Sequence, residues 1–131
     1  MAAKSFRDLL VWQESYRLSI AIYRATERFP KEEQYALTSQ LRRAAVSASS
    51  NIAEGFGRRT SREKDQFYAM AYGSLAEIET QLLIAQGVGY LKDAVFAQLE
   101  GLCLSTQKAL AGLQRVNKQK GAEAAILKTR I

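Results

Sequence analysis

Histidine is absent from this chain of 131 residues, and proline and cysteine occur once each. Without histidine, the chain cannot build a serine–histidine–aspartate triad, a cysteine–histidine pair or most of the common zinc sites. The Glu-x-x-His motif of ferritin-like di-iron bundles is excluded for the same reason. The lone Cys103 cannot form an internal disulfide, which fits a cytoplasmic location. We therefore expect no catalytic residue, no metal site and no cofactor.

Long apolar runs are also missing. The longest uncharged stretch, residues 80–91, is too short to span a bilayer, and it contains glutamine and glycine. Charged residues interrupt the first positions, so no signal peptide is expected. The chain is therefore expected to have no membrane partner, and its length indicates one domain.

Strong helix formers are abundant instead: Ala, Leu, Gln, Glu, Arg and Lys dominate the composition. Apolar residues recur at helical spacing in four segments. Pro30 ends the first segment, Gly55 and Gly57 end the second, and Gly87 and Gly89 end the third. The pattern predicts an all-α protein with four long helices.

Local signals predict where the helices begin and end. Thr38 or a neighbour is expected to cap the second helix, and Gly57 is expected to end it in the left-handed conformation. Thr60 with Glu63 has the spacing of a capping box, which starts the third helix near Ser61. A fourth helix is predicted to begin near Asp93.

Short connections between long helices predict an antiparallel up-and-down four-helix bundle over residues 1–117. The remaining residues, 118–131, form a basic tail in which Gly121 is interpreted as a break. This tail is either a short docked helix or a loose arm.

Positive charge is concentrated in two places. Residues 42–64 carry six basic and two acidic groups, and residues 118–131 carry four and one, in a chain of net charge +6. The surplus is compatible with RNA or DNA as a partner, although solubility alone accounts for many such surpluses. The candidate nucleic-acid-binding residues flank the second helix: Arg42, Arg43, Arg58, Arg59, Arg62 and Lys64.

Helix geometry divides these cations into two groups. Arg42 lies about 24 Å from Arg58 along a straight helix, so the two groups cannot form one patch. The first group is expected to pair with Glu32 and Glu33 or to line a subunit boundary. The second flanks the start of the third helix, where free amides attract anions. The alternative is that this second group, Arg58 to Lys64, is only a solvated basic turn.

Two polar stripes at helical spacing are predicted to meet between the second and third helices as a structural layer. They consist of Ser47, Asn51 and Glu54, and of Ser74, Glu77 and Gln81. The alternative is an acid–base carboxylate pair of Glu54 with Glu77, for which no neighbouring nucleophile or metal ligand is present.

The first helix has a second aromatic stripe, formed by Trp12, Tyr16 and Tyr23, outside its core face. On a lone bundle this stripe would leave an exposed apolar patch, and such patches usually mark interfaces. A homo-oligomer is therefore predicted.

Four motifs occur in order along the chain: FRDLLVWQ at 6–13, LTSQLRRAAVS at 37–47, NIAEGFGR at 51–58 and GSLAEIETQL at 73–82. Together they resemble a bacterial four-helix bundle family related to the proteins encoded in intervening sequences of large-subunit ribosomal RNA genes. The resemblance implies a cytoplasmic bundle that assembles as a ring, with a homopentamer favoured, and no established enzymatic activity. Ser49 stands where many relatives have proline, so the second helix is expected to be straighter here.

A more distant resemblance, to accessory proteins of diversity-generating retroelements, implies a basic ring that binds nucleic acid and a reverse transcriptase. The sequence thus favours a non-catalytic oligomeric bundle protein that binds RNA or DNA through surface cations. The alternative is a protein-binding or self-assembling scaffold without a nucleic-acid role.

Overall fold

Four α-helices make up most of the computed structural model, which describes residues 2–129. The helices are α1 (Leu10–Thr26), α2 (Leu37–Phe56), α3 (Ser61–Gly87) and α4 (Asp93–Thr129). Single 3-10 turns lie at Phe6–Asp8 and Lys31–Glu33. No strand occurs within these described residues, so the predicted all-α class is confirmed.

One apolar core is shared by all four helices. Helix α1 packs against α2 and α4, and α3 packs against the same two helices. The largest fully buried side chains are Leu18, Ile22, Leu41, Ile52, Leu75, Ile78, Leu82, Leu99 and Leu110. Full burial of one such side chain contributes about 1.5–3 kcal/mol. Tertiary packing of these faces therefore does more to fix the helices than helix propensity does.

Small residues allow α2 to lie close to its neighbours. Ala45 and Ala48 are fully buried, and a Cβ atom built on Gly55 would lie 2.7 Å from Cε1 of Tyr68. On the side facing α1, the Ser49 hydroxyl shares a 2.7 Å hydrogen bond with that of Ser15. The alanine- and serine-rich middle of α2 is therefore a surface for close helix packing.

The start of α2 differs from the prediction. Thr38 does not cap the helix, because α2 begins at Leu37 and the Thr38 hydroxyl is buried without a hydrogen-bond partner. The Glu33 carboxylate instead accepts a hydrogen bond from the Leu37 amide at 3.3 Å. The 3-10 turn that ends at Glu33 places a side-chain acceptor at the first turn of α2, where free amides need one.

The end of α2 also differs. Gly57 has φ −79° and ψ −7°, so it is right-handed, and its amide donates to the carbonyls of Ala53 and Glu54. The positive φ lies at Gly89, at 86°, just after α3. The last carbonyls of α2 instead accept hydrogen bonds from the side chain of Lys64 in α3.

Helix α4 runs without interruption through Gly121 to Thr129, so the predicted break at Gly121 is wrong. A Cβ atom on Gly121 would lie 2.9 Å from Cβ of Ser61, and the Asn117 side-chain amide donates to the Ser61 carbonyl at 2.9 Å. Glycine at this position allows α4 to approach the first turn of α3.

We call residues 118–129 the α4 extension. The division of the chain into a bundle (1–117) and a tail (118–131) stays a prediction, and Arg130 lies outside the described residues.

Candidate nucleic-acid interface

The turn between α2 and α3 places several cations at the first turn of α3. The Thr60 hydroxyl accepts a hydrogen bond from the Glu63 amide at 3.1 Å and also bonds the Glu63 carboxylate. This cap starts α3 at Ser61, as predicted. It fixes the positions of Arg59 and Arg62, which are both exposed to solvent.

Arg58 is held by two neighbours on the outside of the turn. Its guanidinium forms a 2.7 Å ion pair with Glu54 and lies 4.5 Å from the ring centroid of Phe67. Part of its charge is therefore already compensated, and its side chain is oriented. Arg58 is a less available phosphate ligand than the sequence indicates.

Lys64 has a structural role in addition to its charge. Its Nζ donates to the Phe56 carbonyl at 2.6 Å, and so it neutralises the negative end of α2. Burial, and secondarily the charge of Lys120, lower the pKa of Lys64 below its usual value of 10.5. No carboxylate is within ion-pair distance of this lysine in residues 2–129.

Lys120, from the basic residues 118–131, lines the same pocket as Lys64. The contacts of Asn117 and Gly121 with Ser61 hold α4 against the first turn of α3. A pocket of about 340 Å³ opens between them, with Arg59, Lys64 and Lys120 among its lining residues. No carboxylate of residues 2–129 lines it. We call Arg58, Arg59, Arg62, Lys64 and Lys120 the basic end.

Sequence reasoning did not place Lys120 in the site, because it assigned residues 118–131 to a basic tail separate from the bundle. Asn117 and Gly121 are one helical turn apart, which is the available signal that this face of α4 makes a close contact. Their partner, Ser61, could not be identified without the fold.

Comparison with known proteins identifies the family of this chain. A model of the 23S rRNA-intervening sequence protein family matches residues 7–112. The chain belongs to this family. No curated protein matches the chain.

A solved structure gives the same fold. It is the crystal structure of a protein of unknown function from the S23 ribosomal protein family of Bacteroides thetaiotaomicron. The TM-score is 0.72 at 16% sequence identity, over 80% of this chain and 98% of that one. At this identity the match shows the fold alone.

The family match covers four of the five residues of the basic end. Arg58, Arg59, Arg62 and Lys64 lie inside the matched residues, whereas Lys120 lies beyond residue 112. The pocket therefore combines residues inside the family match with residues outside it.

Among residues 2–129, none of the helices has the length and hydrophobicity that a transmembrane span requires.

The first group of predicted cations lies elsewhere on α2. Arg42 Nε donates to the Thr26 hydroxyl at 2.9 Å, and Nη2 donates to the Tyr23 carbonyl at 3.2 Å. Arg42 does not form the expected ion pair with Glu32 or Glu33, because its guanidinium binds the Thr26 hydroxyl and the Tyr23 carbonyl at the end of α1. Arg43 is exposed, and neither arginine belongs to the basic end.

The predicted polar layer is only partly formed. The Ser47 and Ser74 hydroxyls are 3.0 Å apart, and the Asn51 amide donates to both the carbonyl and the hydroxyl of Ser47. Gln81 makes one long contact, at 3.5 Å, with the Gln40 side chain of α2. The layer therefore centres on three residues.

Both glutamates of the predicted layer are exposed. Glu54 binds Arg58, and Arg58 lies over Phe67. Glu77 is ten residues further along α3 than Phe67, or about 15 Å. Glu54 of α2 therefore lies beside the first turns of α3, whereas Glu77 lies much further along α3. The alternative Glu54–Glu77 carboxylate pair does not form.

Cys103 is buried in the core, where its thiol contacts the Leu75 carbonyl at 3.6 Å. Burial, with smaller contributions from Glu79 and Glu100, raises the pKa of this thiol to about 12. The thiolate is the reactive form, so Cys103 is an inert core residue at neutral pH. Within residues 2–129, no cluster of acidic and cysteine side chains is arranged to hold a metal ion.

The predicted aromatic interface on α1 is partly covered by the chain itself. Trp12 packs edge-on against Phe6 at 5.0 Å and stacks on Tyr16 at 5.5 Å between ring centroids. The Arg42 guanidinium lies 4.7 Å over the Tyr23 ring. Tyr16 and Tyr23 remain 50% and 39% exposed, so the stripe still leaves apolar surface uncovered on α1.

Proposed function

We propose that this member of the 23S rRNA-intervening sequence protein family is a non-catalytic, oligomeric bundle protein that binds RNA or DNA through the basic end. The observation that carries the proposal is the position of Lys120 beside Lys64, which joins the two charge surpluses of the sequence in one place. Like charges side by side destabilise each other unless an anion lies between them. A phosphate group fits this requirement.

The ligands for a phosphate backbone come from two parts of the fold. Arg59 and Arg62 are exposed at the start of α3, where the helix amides and dipole also favour an anion. Lys120 approaches from α4. Contacts of this kind bind phosphates without reading bases, so we expect affinity without strong sequence preference.

The proposed architecture is an antiparallel up-and-down bundle that assembles as a ring, with a homopentamer favoured, in the cytoplasm. Two side-chain contacts support antiparallel α2 and α3: Ser47 meets Ser74, and Gln40, seven residues earlier, meets Gln81, seven residues later. A ring repeats the basic end in every subunit, so weak contacts add through multivalency.

A protein-binding or self-assembling scaffold without a nucleic-acid role is the second candidate. Its support is a set of exposed apolar side chains, Met70, Leu83 and Ile84 on α3 and Val88 just after it. Exposed apolar residues on one helix are typical of an interface, and they say nothing about nucleic acid.

Salt-dependent binding separates the two candidates. Affinities for a generic single-stranded RNA and a DNA duplex are measured over a range of salt for the parent and for Arg59→Ala/Arg62→Ala. Each lost phosphate contact is expected to reduce the log-affinity against log-salt slope by about 0.7–0.9. The matched control is Arg17→Ala/Arg24→Ala, two exposed arginines of α1.

The control is expected to retain the parent slope. If the parent does not bind at low salt, the scaffold candidate is favoured. An unchanged slope in Arg59→Ala/Arg62→Ala would show that the basic end is only a solvated turn.

A further inference from the structure

A groove of about 890 Å³ runs between α1 and α4, away from the basic end. Its floor is apolar and is made by Ile20, Ala21, Ala25, Val95, Leu99 and Leu102. Two of these floor residues are alanines, so a helical side chain from outside has room to reach the core surface. The groove is thus an unfilled place against two long helices.

The charges around the groove all have one sign. Arg17, Arg24, Arg28 and Lys92 line it, and none of its lining residues is acidic. The ion pair present within residues 2–129 is Arg58 with Glu54, so these four cations have no carboxylate within 4.0 Å. An apolar floor with uncompensated cations along it is electrostatically complementary to an acidic partner.

The spacing of the arginines also fits a helix. Arg17 and Arg24 are seven residues apart, so they share one side of α1. Arg28 lies in the turn just after α1 and also lines the groove. The groove extends along α1 from Tyr16 to Ala25, about 14 Å, which corresponds to roughly two and a half turns of a docked helix.

We propose that this groove binds an amphipathic α-helix of another protein, with the apolar face of that helix on the floor and its carboxylates on Arg17, Arg24, Arg28 and Lys92. Such a helix inserts apolar side chains at i, i+3 or i+4 and i+7. The proposal does not depend on nucleic-acid binding by the basic end.

Three other occupants fit less well. The α4 extension of a second copy carries three lysines and one glutamate, so it has the same sign of charge as the groove. The exposed face of α3 has apolar side chains but presents Glu77 as its one exposed carboxylate opposite four cations. A nucleic-acid backbone would satisfy the cations, but it has no aliphatic surface for the floor.

The test uses two synthetic 14-residue helices with identical leucines at helical spacing, one flanked by glutamates and one by lysines. Binding to the full chain is followed by fluorescence anisotropy. The parent is expected to bind the glutamate helix at least about tenfold more tightly than the lysine helix. Arg24→Glu/Arg28→Glu, two exposed positions, is expected to abolish this preference, because two glutamates then balance Arg17 and Lys92.

Ala25→Trp fills the floor and is expected to weaken both helices, with its fold checked by circular dichroism. Because the charge reversal lies on the surface, the proposal stays testable even if Ala25→Trp does not fold. The matched control, Arg59→Glu/Arg62→Glu at the basic end, is expected to leave the preference for the glutamate helix unchanged.

Results of three kinds would overturn the proposal. One is equal binding of both helices by the parent, or a preference that survives Arg24→Glu/Arg28→Glu. Another is an oligomeric parent whose folded Ala25→Trp variant becomes a monomer in light scattering, which assigns the groove to a subunit interface. The third is a loss of RNA affinity in Arg24→Glu/Arg28→Glu equal to that in the basic-end variant, which assigns the groove to nucleic acid.

Discussion

Two cations that stand out in the sequence as surface charges each bind the carboxyl-terminal end of a helix. Arg42 binds the last turn of α1, and Lys64 binds the Phe56 carbonyl at the end of α2. Cations at this position compensate free carbonyls and the helix dipole. Charge alone therefore does not mark a binding residue here, and the hydrogen-bond partners of each side chain are needed to identify its role.

Arg42→Ala is expected to lower stability by about 1–2 kcal/mol, because it removes two hydrogen bonds from a partly buried guanidinium. Urea denaturation measures the change. The adjacent Arg43→Ala is the control, and it is expected to stay within about 0.5 kcal/mol of the parent, since Arg43 is exposed. A loss of RNA affinity in Arg42→Ala without a loss of stability would contradict the structural role.

Asn51→Ala is expected to destabilise the chain by about 1–3 kcal/mol, because Ser47 loses a donor inside the Ser47–Asn51–Ser74 cluster. The change is measured by thermal melting. Glu77→Ala is the control, and it is expected to have a smaller effect because Glu77 is exposed. If the two substitutions cost the same, the cluster makes no special contribution.

At the scale of the helix, local sequence signals predicted the four elements well. Thr60 and the start at Ser61, the end of α3 at Gly87 and the start of α4 at Asp93 all depend on neighbouring residues. The contacts made near Gly57 and at Gly121 come from other helices: Lys64 of α3 binds the Phe56 carbonyl beside Gly57, and Ser61 of α3 lies against Gly121. Such contacts have no signature within the segment itself.

The same limit applies to the candidate site. The cations of the α2–α3 turn are visible in the sequence, but the compensation of Arg58 by Phe67 and the arrival of Lys120 from α4 require the fold.

Gly121→Val is expected to separate α4 from the first turn of α3, because even a Cβ atom there would lie 2.9 Å from Cβ of Ser61. Hydrogen exchange of the α4 extension should become faster, and nucleic-acid affinity should fall several-fold. Combining it with Ser61→Gly should restore part of both. Gly101→Ala has open space around its Cβ, so it should be neutral for binding and stabilise by up to about 1 kcal/mol. Unchanged hydrogen exchange in Gly121→Val would show that this contact does not hold the extension.

At the scale of the whole molecule, exposed apolar surface lies on α3 as well as on α1. Light scattering is expected to show an oligomer, and five copies of the 14.6 kDa chain would give about 73 kDa. Leu83→Asp, on the exposed face of α3, should disrupt the assembly if that face is the interface. Tyr16→Asp tests the α1 stripe in the same way. A monomeric parent at micromolar concentration would rule out the predicted homo-oligomer.

The lysine that binds the end of α2 has a consequence for the heat of nucleic-acid binding. A phosphate beside Lys64 favours its protonated form, so it raises the pKa from its lowered value towards 10.5. At alkaline pH between these two values, binding is therefore accompanied by proton uptake from the buffer. Calorimetric titrations in buffers with different ionisation enthalpies should then give different apparent heats. Well below the lowered pKa, where Lys64 is protonated with or without nucleic acid, the choice of buffer should make no difference.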